Sequence, residues 1–342
     1  MRNEPPPLLS RVADSVYWIA RYIERAENVA RFIGVNLNLQ IDLPLAPAHQ
    51  WQPLIETSGD WEAFHARYPE ATQNRVIEYL TYDQDNANSI ASCLRQAREN
   101  ARSVRETISS EMWEQINSMH LRIQRQTLPQ PERLLDAFRE IRLACHEFQG
   151  IADATMSHNE AWHFLRLGRK LERADKTSRI LDVKYFMLLP STKDVGTPYD
   201  DIHWAAVLKS VSGFEMYRKK FGRISPADVV DFLVRDDEFP RSIRFCVRCA
   251  SDSLHAITGT PSGAFRYVSE QLLGQLRAEL DFTSVPGIVR GGLHEYLDRL
   301  QLKMNAVDLH LRDDFAITPV RPSPPAQTSS QRQGQTPGPA AV

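Results

Sequence analysis

A Glu-Arg dipeptide occurs twice in this 342-residue chain, each time inside a similar eleven-residue segment. Residues 21–31 read RYIERAENVAR and residues 169–179 read RKLERADKTSR, with five identical positions. A positioned carboxylate can move protons, and an arginine can hold a carboxylate or phosphate with two parallel hydrogen bonds. The candidate acid/base groups are Glu24 and Glu172. The candidate anion-binding groups are the arginines of the two segments, Arg21, Arg25, Arg169 and Arg173.

The spacing around the central arginines indicates where their partners must lie. On a helix, Arg25 has Arg21, Tyr22, Asn28 and Val29 three and four residues away. None of these is acidic, and the same holds for Arg173. An unpaired charge in apolar surroundings costs several kcal/mol, at least as much as burying an unpaired polar group. Each arginine therefore needs a partner from elsewhere in the chain.

Two hypotheses follow for these arginines. In the structural hypothesis the pairing is crossed, Arg25 with Glu172 and Arg173 with Glu24, at the interface between the repeated segments. In the functional hypothesis the arginines line a cavity that binds an anionic ligand. The pairs Glu27–Arg31 and Asp175–Arg179, four residues apart, are predicted to lie on solvated helix faces, where such pairs stabilise a helix only slightly.

The rest of the sequence predicts an all-α fold. Apolar residues recur every three or four positions from Val16 to Leu37, which is typical of a buried helix face. Ser89 is predicted to cap a helix that runs to about Ser110. Pro129 and Pro131 mark a break, and a long helix is predicted over 134–156.

The repeat extends beyond the Glu-Arg segments. Residues 51–64 (WQPLIETSGDWEAF) parallel 204–217 (WAAVLKSVSGFEMY), and residues 80–94 parallel 233–247. We therefore expect a multi-helix bundle of two related halves, about 10–128 and 158–315, around a pseudo-twofold axis and linked by the 134–156 helix.

The helical pattern and the repeat also predict the domain boundaries and the role of two cysteines. The helical domain is expected to span 9–315, after a flexible N-terminus over 1–8. The Pro/Gln/Ser-rich tail over 316–342 cannot bury enough apolar surface to fold and is predicted to be disordered. Cys93 and Cys246 occupy the same position of the repeat, which indicates a small core residue rather than a redox or metal site.

A second candidate site is a stripe of arginines at helical spacing. Its members are Arg95, Arg98, Arg102 and Arg105. Such a stripe can bind an acidic protein partner, or it can simply be a solvated helix face with Glu99 and Glu106 interleaved.

Composition and missing motifs exclude several classes. The 41 basic and 43 acidic residues give a net charge of −2, which argues against non-specific nucleic-acid binding. Glycine-rich phosphate loops and a hydrolase nucleophile elbow are missing from the sequence, and no metal centre or cofactor is predicted. With no signal peptide or membrane span in the sequence, the expected location is cytoplasmic.

The sequence resembles the alpha-E family, an all-helical bacterial family of uncharacterised function named for its Glu-Arg motif. The resemblance runs from about Leu9 to Phe315 and is carried by SRVADSVYWIARYIERAENVARFI, SIASCLRQARENARSVRETISSEMWEQIN and GIADATMSHNEAWHFLRLGRKLERAD. The family's motif falls on Glu24-Arg25 and again on Glu172-Arg173. The resemblance implies a setting beside, or fused to, a circularly permuted ATP-grasp protein, with a transglutaminase-like protease or a proteasome-related peptidase as further partners. It implies no catalytic residues.

Three functions remain open on this basis. The leading hypothesis is a non-catalytic companion or scaffold subunit of an ATP-grasp-dependent peptide ligation or modification system, with an Arg-lined surface for an acidic partner. The second is an enzyme that uses Glu24 and Glu172 as acid/base groups, although flanking arginines should depress the pKa of both carboxyls. The third is a purely structural oligomerisation module. The sequence does not predict an oligomeric state.

Overall fold

The computed structural model describes residues 10–42, 47–125, 128–187 and 198–315, and these residues form helices and no strands. The predicted flexible N-terminus and disordered tail lie outside the described residues. The α-helices are α1 Ser10–Asp42, α2 Pro47–Ser58, α3 Trp61–His65, α4 Gln73–Thr81, α5 Ile90–Ser103, α6 Ser110–Arg125, α7 Leu134–Thr155, α8 Glu160–Met187, α9 Pro198–Ser210, α10 Phe214–Phe221, α11 Pro226–Val230, α12 Ile243–Thr258, α13 Val268–Phe282, α14 Val285–Gly291 and α15 Leu293–Phe315.

The two helices that carry the Glu-Arg segments, α1 and α8, pack against each other at the centre of the fold. On its other sides α1 packs against α5 and α7, whereas α8 packs against α12 and α15. Two apolar cores result, and α1 contributes to both. Its Val16 and Ile23 lie in the first core, while Tyr17 and Trp18 lie in the second.

The central helix pair depends on a small residue at its closest approach. A Cβ atom placed on Gly168 of α8 would overlap the backbone carbonyl oxygen of Tyr17 in α1 and would lie 3.1 Å from the ring carbon Cδ2 of that tyrosine. Glycine therefore sets the spacing at which side chains from one helix reach carboxylates on the other.

Helix boundaries agree with the sequence expectations except at one end. Ser89 caps α5 by accepting a hydrogen bond from the backbone N–H of Ser92. The long helix predicted after the prolines is α7. The expectation that α5 continues to about Ser110 was wrong: the helix ends at Ser103, whose hydroxyl donates to the carbonyl of Asn100 at 2.7 Å. The backbone of Val104 then leaves the helical region with φ −131° and ψ 32°.

In the part of the chain that the structure describes, no helix has both the length and the apolar character that a membrane span requires.

Replacing Gly168 with alanine is expected to destabilise the protein by about 1–3 kcal/mol, because the added methyl group must push α1 and α8 apart. Gly150→Ala in α7 is the matched control: nothing lies within 4 Å of its added Cβ, so helix propensity alone should stabilise the fold by up to about 1 kcal/mol. Urea unfolding of both variants measures the difference. Equal effects at the two glycines would contradict the close approach of α1 and α8.

Candidate functional site

The structure contains both crossed ion pairs. Arg173 donates from Nε and Nη2 to the two carboxylate oxygens of Glu24, at 2.8 and 2.7 Å. Arg25 donates in the same way to Glu172, at 2.7 and 3.0 Å. Each pair is therefore a two-point contact between α1 and α8, the geometry in which a guanidinium fixes a carboxylate most firmly.

Both glutamates are fully buried and accept further hydrogen bonds. Arg21 donates from Nε to Glu172 at 2.8 Å. The additional donors to Glu24 are Asn28 at 3.1 Å, Gln149 at 3.1 Å and Arg241 at 3.2 Å. With their oxygens occupied in this way and no exposed surface, the two carboxylates are closed to a substrate.

Electrostatics keep these carboxylates ionised. Burial by itself would raise the pKa of Glu24, but Arg173 and Arg241 outweigh it and hold the pKa well below its usual range. Burial likewise opposes ionisation of Glu172, and Arg25 and Arg21 again lower the pKa far below the ordinary value. A carboxyl group that stays charged near neutral pH is a poor general acid, and one tied to two arginines is a poor base.

The outer arginines of the two segments differ from each other. Besides Glu172, Arg21 contacts the hydroxyl of Tyr17 at 3.0 Å and pairs with Asp308 of α15. Arg169, at the corresponding position, does not donate to Glu24. Its Nη1 lies 3.7 Å from Asp153, and its buried Nε has no partner among the described residues.

The prediction of solvated pairs four residues apart was wrong for α1. Glu27 is fully buried and Arg31 is 1% exposed, because α7 and the residues after α9 cover this face of the helix. Glu27 pairs with Arg31 and also accepts from Arg241 at 2.9 Å. In α8 the Asp175–Arg179 pair is also largely buried.

Sequence reasoning missed Arg241, which bridges Glu24 and Glu27 from the residue before the cap of α12. One signal could have found it. The alignment of 80–94 with 233–247 places Arg241 opposite Asn88, and Asn88 accepts from Arg25 at 2.9 Å. The repeat thus marks both positions as contacts of the Glu-Arg network.

The four arginines of the predicted stripe do not share one surface. Arg98 donates to Asn117 at 2.7 Å, and its guanidinium lies 5.6 Å from the centre of the Trp113 ring. Arg105 lies beyond the helix and stacks over the same ring at 4.7 Å. Arg95 contacts Gln84, and Arg102 lies 3.5 Å from Glu99, both at the surface.

An open groove of about 560 Å³ continues from Trp113 along α6. We call this surface the Trp113 face, and its members are Arg98, Arg105, Trp113, Arg122 and Arg125. It joins a flat aromatic ring to several exposed guanidinium groups.

Cys93 and Cys246 are both buried, as expected for core positions. Burial raises the pKa of the Cys93 thiol to about 12, and the pKa of Cys246 is raised for the same reason, so both thiols are protonated at neutral pH. Within the described residues, no group of three or more His, Cys, Asp or Glu side chains is placed to hold a metal ion.

Arg173→Ala is expected to lower the free energy of unfolding by about 3–5 kcal/mol, because it leaves Glu24 buried with too few counter-charges. Arg102→Ala is the matched control. Its side chain is 66% exposed, so the change should stay within about 0.5 kcal/mol. Chemical denaturation monitored by circular dichroism measures both. A loss at Arg173 as small as the loss at Arg102 would contradict a structural ion pair.

The free energy of unfolding should also decrease in acid. The pKa of Glu24 and of Glu172 is lower in the folded state than the ordinary value of 4.5, so the unfolded chain binds more protons. The stabilisation is complete above about pH 5 and is lost as the pH falls below that value. Glu24→Gln should flatten this dependence in unfolding curves between pH 3 and 7, whereas Glu132→Gln, at an exposed position, should leave it unchanged.

Comparison with known proteins adds relatives but no assigned activity. An uncharacterized protein of Mycobacterium bovis and two of Mycobacterium tuberculosis are each 22% identical to the chain over 291 residues. The match covers 79% of this chain and 32% of each relative, so the chain spans about a third of the length of the curated relatives it matches. No solved structure matches.

Residues 8–315 match the Alpha-E family, described as a predicted alpha-helical domain with a conserved ER motif. This match covers all of the described residues, including both Glu-Arg segments. The chain belongs to the Alpha-E family.

Proposed function

We propose that this chain is a non-catalytic scaffold or companion subunit in which the Glu-Arg pairs fasten helices together. The observation that carries the proposal is the complete burial of Glu24 and Glu172, each held by two-point contact with an arginine of the other helix. Acid/base chemistry by these glutamates, the enzyme alternative, would require a proton path and an exposed oxygen. The site best supports a mechanical role.

The proposed partner is a circularly permuted ATP-grasp ligase, in a peptide ligation or modification system. Two observations support a companion role: membership of the Alpha-E family, and the length of the relatives, in which the matching segment is joined to much additional chain. Fusion keeps two proteins at high effective concentration, as expected for domains that work together. A transglutaminase-like protease or a proteasome-related peptidase is a further proposed partner. Because the ligase consumes ATP, the proposal places the chain in the cytoplasm.

The Trp113 face is the proposed docking surface. Tryptophan and arginine are the residues that most often dominate binding energy at protein interfaces, and Trp113 is partly exposed. Arg98 and Arg105 both lie against the Trp113 ring, which keeps the aromatic surface and the charges together. An acidic segment of the partner would meet guanidinium groups on both sides of an aromatic platform.

We further infer that the chain consists of two related halves about a pseudo-twofold axis. Matching features support this arrangement. Ser89 and Ser242 both cap helices and accept from the backbone N–H three residues ahead. Gly59 and Ser212, which the repeat aligns, both adopt positive φ, at 82° and 51°.

The docking surface is tested with a double variant, Arg105→Ala with Trp113→Ala, in co-purification with the circularly permuted ATP-grasp protein of the same organism. We expect at least a tenfold loss of affinity, since each anchor residue contributes about 1–2 kcal/mol or more. The matched control is Trp162→Ala with Arg166→Ala, which removes another arginine–tryptophan contact, at 5.5 Å, from a different surface.

ATP turnover by the ligase, measured with and without this chain, tests the companion role itself. We expect turnover to change when the wild-type chain is added and to change far less with the double variant. Unchanged turnover in both cases would overturn the companion role. Turnover of a substrate by this chain alone, lost in Glu24→Gln, would support the enzyme alternative.

A further inference from the structure

The charges around the two crossed pairs are not equivalent. Around Glu172 the carboxylates and cations nearly balance. The carboxylates are Glu172, Asp175, Asp308 and Asp60, and the cations are Arg21, Arg25, Lys176, Arg179 and Arg312. Asp60 belongs to this group through Asn88, which donates to Asp60 at 2.8 Å and accepts from Arg25.

Around Glu24 the cations are in excess. The carboxylates are Glu24 and Glu27, and the cations are Arg31, Arg142, Arg173 and Arg241. Arg169 and Asp153 form a separate pair at the edge. The sequence repeat explains the imbalance: Gly213 stands where the first copy has Asp60, and Arg241 stands where it has Asn88. One carboxylate is lost and one guanidinium is gained.

The excess leaves guanidinium groups without counter-charges. Arg142 makes no ion pair with any described residue, and its buried Nε has no hydrogen-bond partner there. The Nε of Arg31, a residue that is 1% exposed, is also without a partner among the described residues. Burial lowers the pKa of Arg31 and of Arg142, and neighbouring arginines lower both further. Such a cluster is stabilised when an anion joins it.

This cluster reaches solvent along one face of α7. Arg139, Arg142 and His146 are spaced three and four residues apart, so they lie side by side on the helix. The side chain of His146 is 47% exposed, while its Nε2 lies 3.3 Å from Nη2 of Arg31. Burial and then Arg31 lower the pKa of His146 to about 4. The ring is therefore neutral at pH 7, and its Nε2 also lies 3.2 Å from Oε1 of Glu27, so this nitrogen can accept from Arg31 or donate to the carboxylate, depending on the tautomer.

We propose that Arg139, Arg142 and His146 form a binding site for one phosphate or carboxylate group, drawn in by the positive field of the buried Arg31 and Arg241. The site lies on α7, whereas the Trp113 face is formed by α5, the turn after it and α6. It does not depend on the proposed ligase partnership. Phosphate is the better fit, because its oxygens can accept from two arginines together.

The test measures the thermal unfolding midpoint of the full chain at pH 7 and constant ionic strength, in chloride, acetate or inorganic phosphate. We expect phosphate to raise the midpoint above its value in chloride, with acetate showing whether a carboxylate suffices. In Arg142→Gln the phosphate-dependent rise should fall to less than half. Arg277→Gln is the matched control and should retain the full rise, because Arg277 lies outside both proposed surfaces and its charge is already paired with Asp252 at 3.0 Å.

A second readout distinguishes binding from a structural role. Without phosphate, Arg142→Gln should unfold at the same temperature as the wild type or higher, since it removes a cation that has no carboxylate. Equal midpoints of the wild type in phosphate and chloride would overturn the proposal. So would an Arg142→Gln variant that is destabilised in chloride and retains the phosphate effect.

Discussion

The two crossed ion pairs between α1 and α8 are the constraint on which the rest of the structure depends. Glu24 and Glu172 are fully buried, and each is neutralised by an arginine of the opposite helix. Desolvation consumes much of the Coulomb attraction in such a pair, so its main effect is on specificity: any other register leaves four charges buried and unpaired. Gly168 complements this by allowing the backbones to approach closely enough for two-point contact.

The buried ion pairs between α1 and α8 are separate from the surfaces that ligands can reach. Both glutamates of the family's motif are fully buried and held by arginines of the opposite helix, so in the proposed scaffold role recognition uses other residues. Two places have charge left over. One is the Trp113 face, where arginines stack on a partly exposed ring, and the other is the α7 face, where an arginine cluster lacks its full set of counter-charges. Their chemistry differs, since one offers a broad aromatic platform and the other a point of high positive potential.

Local sequence logic predicted the helices and gave the crossed pairing as one of two hypotheses, because a helix fixes which neighbours Arg25 has and none of them is acidic. It failed where burial is decided by distant segments. Glu27 and Arg31 satisfy the rule for a surface pair, yet α7 and the residues after α9 cover them. Asp308 of α15 and Arg241 enter the network from far along the chain, and only the repeat gave a hint of Arg241. The apolar periodicity also continues past the actual end of α5 at Ser103, whose hydroxyl donates to the carbonyl of Asn100.

The membership of α1 in both cores has a consequence for biosynthesis. This helix is synthesised before α8, so its Glu24 has no guanidinium partner until Arg173 has been made, and Tyr17 and Trp18 pack in a core built mainly from α8 and the helices after it. The first core can form around one face of α1 while the other face still lacks the residues that will cover it. The nascent chain must therefore carry an exposed, charged and aromatic strip until α8 and the helices after it have been synthesised, and that strip is the part a ribosome-associated chaperone would meet.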